Sequence, residues 1–275
     1  MTSPCAPRIP PILYGTAWKK HDTERLVATA LRVGFRGIDT ACQPKHYNEP
    51  GVGAGLAACL GEQLRREDLY LQTKFTSVSG QDPERIPYDP AATLTQQVGQ
   101  SFEVSLRNLR TDYLDSMVLH SPLPSAKQTL EVWRAMESLV DSGGVRHLGI
   151  SNCYQLRQLE TLWESARIKP TILQNRFYAD TRYDHDIRTY CRRQHITYQS
   201  FWTLTANPQI LSHRTVTALA QRYERTAAQV LFRYLTQVGV VPLTGTRSQA
   251  HMREDLEIFE FELTAAERDA MSSIF

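Results

Sequence analysis

Short apolar runs alternate with longer segments of helical spacing along almost the whole chain. Eight runs rich in β-branched and apolar residues are predicted as strands, at 12–16, 35–39, 69–74, 114–120, 145–151, 171–175, 196–200 and 240–243. Apolar residues three and four apart predict helices between and after them, at 22–32, 50–65, 92–109, 128–141, 155–167, 184–193, 226–237 and 249–258. Such an alternation makes neighbouring strands parallel, because antiparallel neighbours need only a hairpin.

Eight such units predict an α/β fold, a closed (β/α)₈ TIM barrel, as a single domain over residues 1–275. An open doubly wound sheet is the structural alternative, and it typically carries a Gly-x-Gly-x-x-Gly turn after its first strand. The segment after the first run, YGTAWKK, lacks that turn. Neither an internal repeat nor a linker divides the chain.

Composition and charge exclude several classes of protein. The net charge is +2, which gives no electrostatic reason to expect nucleic acid or an anionic membrane as a partner. The apolar runs are too short to cross a bilayer, and the N-terminus has no pattern of a secretory signal. The five cysteines form no Cys-x-x-Cys pair, so neither a metal site nor a disulfide framework is predicted. We therefore expect a cytoplasmic monomer with reduced thiols that acts on a small molecule.

Polar and ionisable side chains collect where the predicted strands end. In barrels of this kind the chemistry lies at the C-terminal ends of the strands. The residues at or just beyond these ends are Thr16, Trp18, Asp39, Lys74, His120, Ser151, Asn152, Gln174, Phe201, Trp202, Thr246 and Arg247. Each alone has a structural alternative, such as a turn-capping aspartate or a satisfied core histidine. Their convergence on one rim predicts an active site.

Six segments resemble the aldo-keto reductase family, in order and across nearly the whole chain: GFRGIDTA, YLQTKFT, SLRNLRTDYLDSMVLHSP, GVRHLGISN, ILQNRFY and LEIFEFELTAAE. The resemblance implies an NAD(P)H-dependent reductase of aldehyde and ketone carbonyls, with a catalytic aspartate, tyrosine, lysine and histidine and no metal. It places Asp39, Lys74 and His120 at three of these four positions. Ser151, Asn152 and Gln174 match the positions that hold the nicotinamide carboxamide, and Phe201 matches the aromatic residue that stacks on the ring. Thr16 is a further expected cofactor-binding residue.

The proton donor is the ambiguous position of the four. In the family the tyrosine follows the aspartate by five residues and precedes an Asn-Glu pair by two. The first count reaches Pro44 and the second reaches His46, so the loop carries two extra residues. Tyr47 is the only phenol in the segment, and we favour it over His46 because a buried Lys74 nearby disfavours a charged histidine. We expect the Lys74 ammonium, held by Asp39, to lower the pKa of the Tyr47 hydroxyl.

The substrate side of the site is predicted in outline. We expect His120 to orient the substrate oxygen through a hydrogen bond. Trp18, Tyr88 and Trp202 are candidates for an apolar pocket lining, with simple packing as the alternative. The long loop at 77–90 is expected to shape access to the substrate.

The loop after the eighth predicted strand departs from the family. Where the family has a lysine and an arginine that hold the adenosine 2′-phosphate, this chain has Gly245 and His251. We expect Arg247, with Thr246, to bind that phosphate instead, through a planar bidentate contact. His251 adds charge only at acidic pH, and Asp255, in the place of a family asparagine, is expected to contact the adenine. NADPH is thus the favoured cofactor, with NADH as the alternative.

Two other functions stay open at this point. A Schiff-base lyase would use Lys74 as its nucleophile on the same barrel, although the GISN and LQN segments have no role in that chemistry. A non-catalytic NADP(H)-binding or sensing protein would keep the cofactor site and lose turnover through the altered loop.

Overall fold

The computed structural model describes residues 9–61 and 64–275, and eight parallel strands close there into a barrel. The strands are β1 (Leu13–Gly15), β2 (Gly37–Asp39), β3 (Tyr70–Phe75), β4 (Leu114–Leu119), β5 (Val145–Ser151), β6 (Ile172–Arg176), β7 (Thr197–Phe201) and β8 (Val240–Thr244). The last strand returns to the first through the pairs Leu13↔Leu243 and Tyr14↔Thr244. The predicted (β/α)₈ barrel is confirmed, and each predicted strand overlaps an observed one.

At least one α-helix follows every strand. The helices are α1 (Thr23–Val33), α2 (Glu49–Ala57), α3 (Leu94–Leu109), α4 (Ala126–Asp141), α5 (Leu156–Ser165), α6 (His185–Arg193), α7 (Pro208–Leu211), α8 (Arg214–Tyr223), α9 (Ala227–Gln237), α10 (Gln249–Glu257) and α11 (Ala265–Ser272). Each predicted helix overlaps one of these, while α7, α8 and α11 are additional. The helix predicted at 50–65 ends at Ala57, and residues 62–63 of that prediction lie outside the described part of the chain.

The interior of the barrel is layered because alternate side chains of each strand point toward its axis. A small apolar cluster of Leu13, Tyr70 and Ile172 forms one layer. Two residues further along their strands come Gln72 and Gln174, which belong to a polar layer. The larger hydrophobic core lies outside this interior and includes strand and helix side chains. No helix in the described residues is long and apolar enough to cross a membrane.

Candidate active site

A buried ion pair occupies the mouth of the barrel. Asp39 is the last residue of β2, and Lys74 comes one residue before the end of β3. The Lys74 ammonium donates to both Asp39 carboxylate oxygens at 2.7 Å and to the Thr40 carbonyl at 2.8 Å. These acceptors use all three donors of the ammonium. Burial lowers the pKa of Lys74, and the neighbouring Asp39 opposes that effect.

Two glutamines hold Asp39 from the interior of the barrel, and a third glutamine bonds to both of them. Gln72 Nε2 donates to Asp39 Oδ1 at 2.6 Å, and Gln174 Nε2 donates to the same oxygen at 2.9 Å. Both amides also donate to Gln199 Oε1, at 2.8 and 2.9 Å. Because an ionised carboxylate only accepts, it fixes which way the Gln72 and Gln174 amides face. The Oε1 of Gln174 accepts no hydrogen bond from the described residues and is available to another donor.

The structure separates the two candidates for the proton donor. The Lys74 ammonium lies 5.3 Å from the centroid of the Tyr47 ring, and that centroid is 6.0 Å from the centroid of the His120 ring. The His46 ring instead packs against Trp18 in a tilted arrangement, with 4.0 Å between centroids. Tyr47 is therefore the candidate that joins Lys74 and His120.

The expected lowering of the Tyr47 pKa is wrong in this structure. Burial, followed by the Asp39 carboxylate, raises the pKa of the Tyr47 hydroxyl above its ordinary value. The physical reason is that Lys74 directs its three donors at Asp39 and Thr40 and leaves none for the phenol. The raised pKa keeps the Tyr47 hydroxyl protonated. Among the described residues this hydroxyl forms no hydrogen bond, so it is available to a ligand.

His120 follows β4 and is held by a residue that the sequence did not single out. Its Nδ1 lies 2.6 Å from Thr76 Oγ1. Burial, then Lys74, then His46 lower the pKa of His120 to about 3, so the ring is neutral at ordinary pH. The Thr76 hydroxyl has no other acceptor in the described residues, so we assign it as the donor to Nδ1, which puts the ring hydrogen on Nε2. The sequence feature that could have identified Thr76 is its position two residues after Lys74, because alternate residues along a strand point to the same side.

The residues expected to bind the cofactor outside the loop after β8 lie near the ends of β1 and of β5 to β7. Ser151 donates to the backbone carbonyl of Gln174 at 2.6 Å, and Asn152 Nδ2 donates to the backbone carbonyl of His120 at 2.8 Å. Phe201 ends β7 and is half-buried. Thr16 is fully buried, and its hydroxyl donates to the last carbonyl of β2 at 2.9 Å.

Arg247 bridges the loops that follow β1 and β8. Its Nη1 pairs with Asp22 at 3.1 Å, and its Nη2 donates to the carbonyls of Trp18 and Lys19 at 3.0 and 3.3 Å. The Lys19 ammonium donates to the Gly245 carbonyl. Burial, followed by Arg247, lowers the pKa of Lys19 to about 8. Two cations thus meet in one place, and Lys19 went unnoticed in the sequence although it directly follows Trp18.

Thr246, His251 and Asp255 are the other residues expected at the 2′-phosphate and the adenine, and their exposure to solvent differs. Thr246 Oγ1 lies 3.5 Å from His251 Nδ1, and this contact is exposed. Asp255 is buried, and its Oδ2 accepts from the Thr244 hydroxyl at 2.6 Å. Burial raises the pKa of Asp255 to about 6. The carboxyl group expected at the adenine therefore also ties α10 to β8.

The three aromatic candidates for a pocket lining take different places. Trp18 is 51% exposed and Trp202 is 49% exposed. Tyr88 is buried, lies against Phe75 with 5.7 Å between ring centroids, and donates to the Thr76 carbonyl at 2.6 Å. Tyr88 thus packs inside the protein, which was the alternative to its expected role in a pocket lining.

A cavity of about 580 Å³ lies beside the loop after β2. Its lining includes Trp18, His46 and Tyr47, together with Arg85 and Pro87 from the long loop after β3. That loop therefore borders the space next to Tyr47. Another cavity, of about 360 Å³, lies between α4 and α5 and includes none of the candidate site residues.

The fold and the groups at its mouth are those of an oxidoreductase built on a (β/α)₈ barrel. The Aldo/keto reductase family matches residues 12–275, and the chain belongs to that family. The family acts on small carbonyl compounds with nicotinamide cofactors.

Individual relatives agree with this membership. Glyoxal reductase of Bacillus subtilis (strain 168) is 32% identical over 248 residues, which cover 90% of this chain and 82% of the relative. Methylglyoxal reductase DkgA of Yersinia pestis is 28% identical over 270 residues, which cover 97% of this chain and 90% of the relative. The crystal structure of an aldo/keto reductase from Brucella melitensis has a TM-score of 0.82 at 27% identity and covers 97% of this chain and 95% of its own.

Proposed function

We propose that the protein reduces aldehyde and ketone carbonyls to alcohols with NADPH, and that Tyr47 is the proton donor. The observation that carries the proposal is the grouping of Tyr47 and His120 around the Lys74–Asp39 pair at the barrel mouth. Two relatives are named as reductases of glyoxal and of methylglyoxal, which are small carbonyl compounds, and this supports the same type of reaction here.

The residues at the mouth fit a nicotinamide cofactor. Gln174 offers Oε1 to a carboxamide NH₂, because both of its own N–H donors are directed inward. Lys19 and Arg247 bring positive charge together between the loops after β1 and β8, which suits phosphate groups. When bound, the reduced nicotinamide supplies the hydride.

Tyr47 supplies the proton that the product needs. Hydride addition leaves an alkoxide, which is a far stronger base than a phenoxide, so a phenol with a raised pKa still protonates it. Lys74 stabilises the resulting phenoxide through its charge, and Asp39 keeps that ammonium in place. His120 donates from Nε2 to the carbonyl oxygen and favours the negative charge that develops there.

The Schiff-base alternative is disfavoured by the surroundings of Lys74. Burial lowers the pKa of this lysine, which alone would suit a nucleophile. Its nitrogen, however, is paired with a buried carboxylate and directs every donor into the protein. Nucleophilic attack would require this buried ion pair to be broken.

The test is the oxidation of NADPH in the presence of aldehydes, ketones and quinones. Tyr47→Phe should lower kcat by about 10²–10⁴-fold, the usual size of general-acid catalysis, with little change in the dissociation constant of NADPH. His46→Ala is the matched control and should cost far less. The opposite ranking would assign proton donation to His46. Tight NADPH binding without reduction of any carbonyl would favour the non-catalytic sensing protein.

A further inference from the structure

Arg176, the last residue of β6, is a cation at the barrel mouth. In the described residues it forms no ion pair with a carboxylate, and its side chain donates no hydrogen bond. Its Nε is buried. Because a buried donor without an acceptor costs free energy, this position favours a ligand that brings one.

Alternation along β6 directs Arg176 toward the axis of the barrel. Ile172 lies in the interior apolar cluster, and Gln174 donates to Asp39 at 2.9 Å. Arg176 is the next residue in this series, and its register partner on β7 is Phe201. Arg176 therefore lies one layer closer to the mouth of the barrel than Gln174, which contacts Asp39. The mouth is where the proposed reaction takes place.

Aromatic rings keep the Arg176 guanidinium in place. Its Cζ lies 4.2 Å from the centroid of Trp202 and 5.1 Å from the centroid of Tyr178. The Tyr154 hydroxyl accepts from the backbone N–H of Arg176 at 3.1 Å, and its ring meets Tyr178 edge-on. Rings satisfy the face of a guanidinium but not its N–H donors, so those donors remain for a ligand in the plane of the group.

We propose that Arg176 binds a carboxylate of the substrate, so that the preferred substrates are carbonyl compounds that also carry a carboxylate. A guanidinium remains charged at any working pH and matches the two oxygens of a carboxylate with parallel hydrogen bonds. This inference rests on the proposed carbonyl reduction and adds the chemical class of the substrate. The cofactor phosphates are the other oxyanions within the same chemistry, and the experiment distinguishes the two.

The test compares succinic semialdehyde with butanal, which differ in the carboxylate. The ratio of kcat/KM for the acid to that for butanal should fall by about 10- to 100-fold in Arg176→Gln, mainly through KM for the acid. Arg182→Gln is the matched control, since Arg182 is 85% exposed and pairs with Asp186 on the surface. Arg176→Lys should retain part of the preference for the acid. It keeps the positive charge but loses the planar pair of donors that binds both carboxylate oxygens.

A binding measurement keeps this proposal separate from the proposed reduction. Succinate and its neutral diamide are titrated into the protein saturated with NADP⁺, with tryptophan fluorescence as the signal. Succinate should bind more tightly than the diamide, and Arg176→Gln should remove the difference even if no carbonyl is reduced. An unchanged acid preference in Arg176→Gln would overturn the proposal. If NADPH binding is weaker in the same variant, the guanidinium is assigned to the cofactor instead.

Discussion

The Lys74 ammonium directs all three donors at Asp39 and Thr40, and this determines the effect of removing it. Lys74→Met should abolish most turnover, but it also leaves a buried carboxylate without its counter-charge, at a cost of about 3–5 kcal/mol. The double variant Asp39→Asn/Lys74→Met removes both charges and should recover much of the free energy of unfolding. It should not recover kcat. Urea unfolding and steady-state kinetics measure the two effects separately, and a double variant with near-normal kcat would contradict the role of the lysine.

For single residues, the sequence predicted where a side chain lies in the barrel better than it predicted which groups that side chain bonds to. Asp39, Lys74 and His120 were visible because strand ends share one rim in a barrel. Gln199 was not visible, because its partner Gln72 is 127 residues away and meets it only after the barrel closes. The prediction for the Tyr47 pKa failed for a related reason. The spacing of residues shows that a lysine is near, but it does not show where its donors point.

Among the elements, α10 is joined to β8 by the buried Asp255 carboxyl group, whose pKa is raised from 3.8 to about 6. Between these two values the unfolded chain gives up its proton before the folded protein does, so stability falls as pH rises through that window. Asp255→Asn keeps an acceptor for Thr244 and removes the charge. It should raise the free energy of unfolding by about 3 kcal/mol at pH 8 and change it little at pH 4. Urea unfolding at both pH values tests this, and an equal effect at the two would contradict it.

The alternation of strand and helix was predictable because each element has its own local periodicity. The helices that escaped prediction lie outside that alternation. The α7 helix is only four residues long, and α8 buries only Val216 and Leu219. Such short or weakly buried elements leave little apolar pattern in a sequence.

For the whole molecule, the contact of Arg247 with Asp22 joins the loop after β8 to the loop after β1. A 2′-phosphate must share this guanidinium with the carboxylate. We expect NADPH to bind about 10- to 100-fold more tightly than NADH, the value of a charge-assisted hydrogen bond, and Arg247→Ala to remove most of that difference. Asp22→Asn removes the competitor and should strengthen NADPH binding with little effect on NADH.

Quenching of tryptophan fluorescence gives the dissociation constants of both dinucleotides. Equal values in the unmutated protein would show that Arg247 does not select the phosphate.

The amide layer inside the barrel limits how this protein can change over evolutionary time. Gln72, Gln174 and Gln199 are closed to solvent, and each hydrogen bond among them has a fixed direction. Replacing one leaves a buried neighbour with an unmatched donor or acceptor, which costs free energy. Loops at the mouth can vary one residue at a time, whereas this layer accepts change only in coordinated sets. A lineage that starts from this chain can therefore explore new substrates through its rim long before it can alter the interior that holds Asp39.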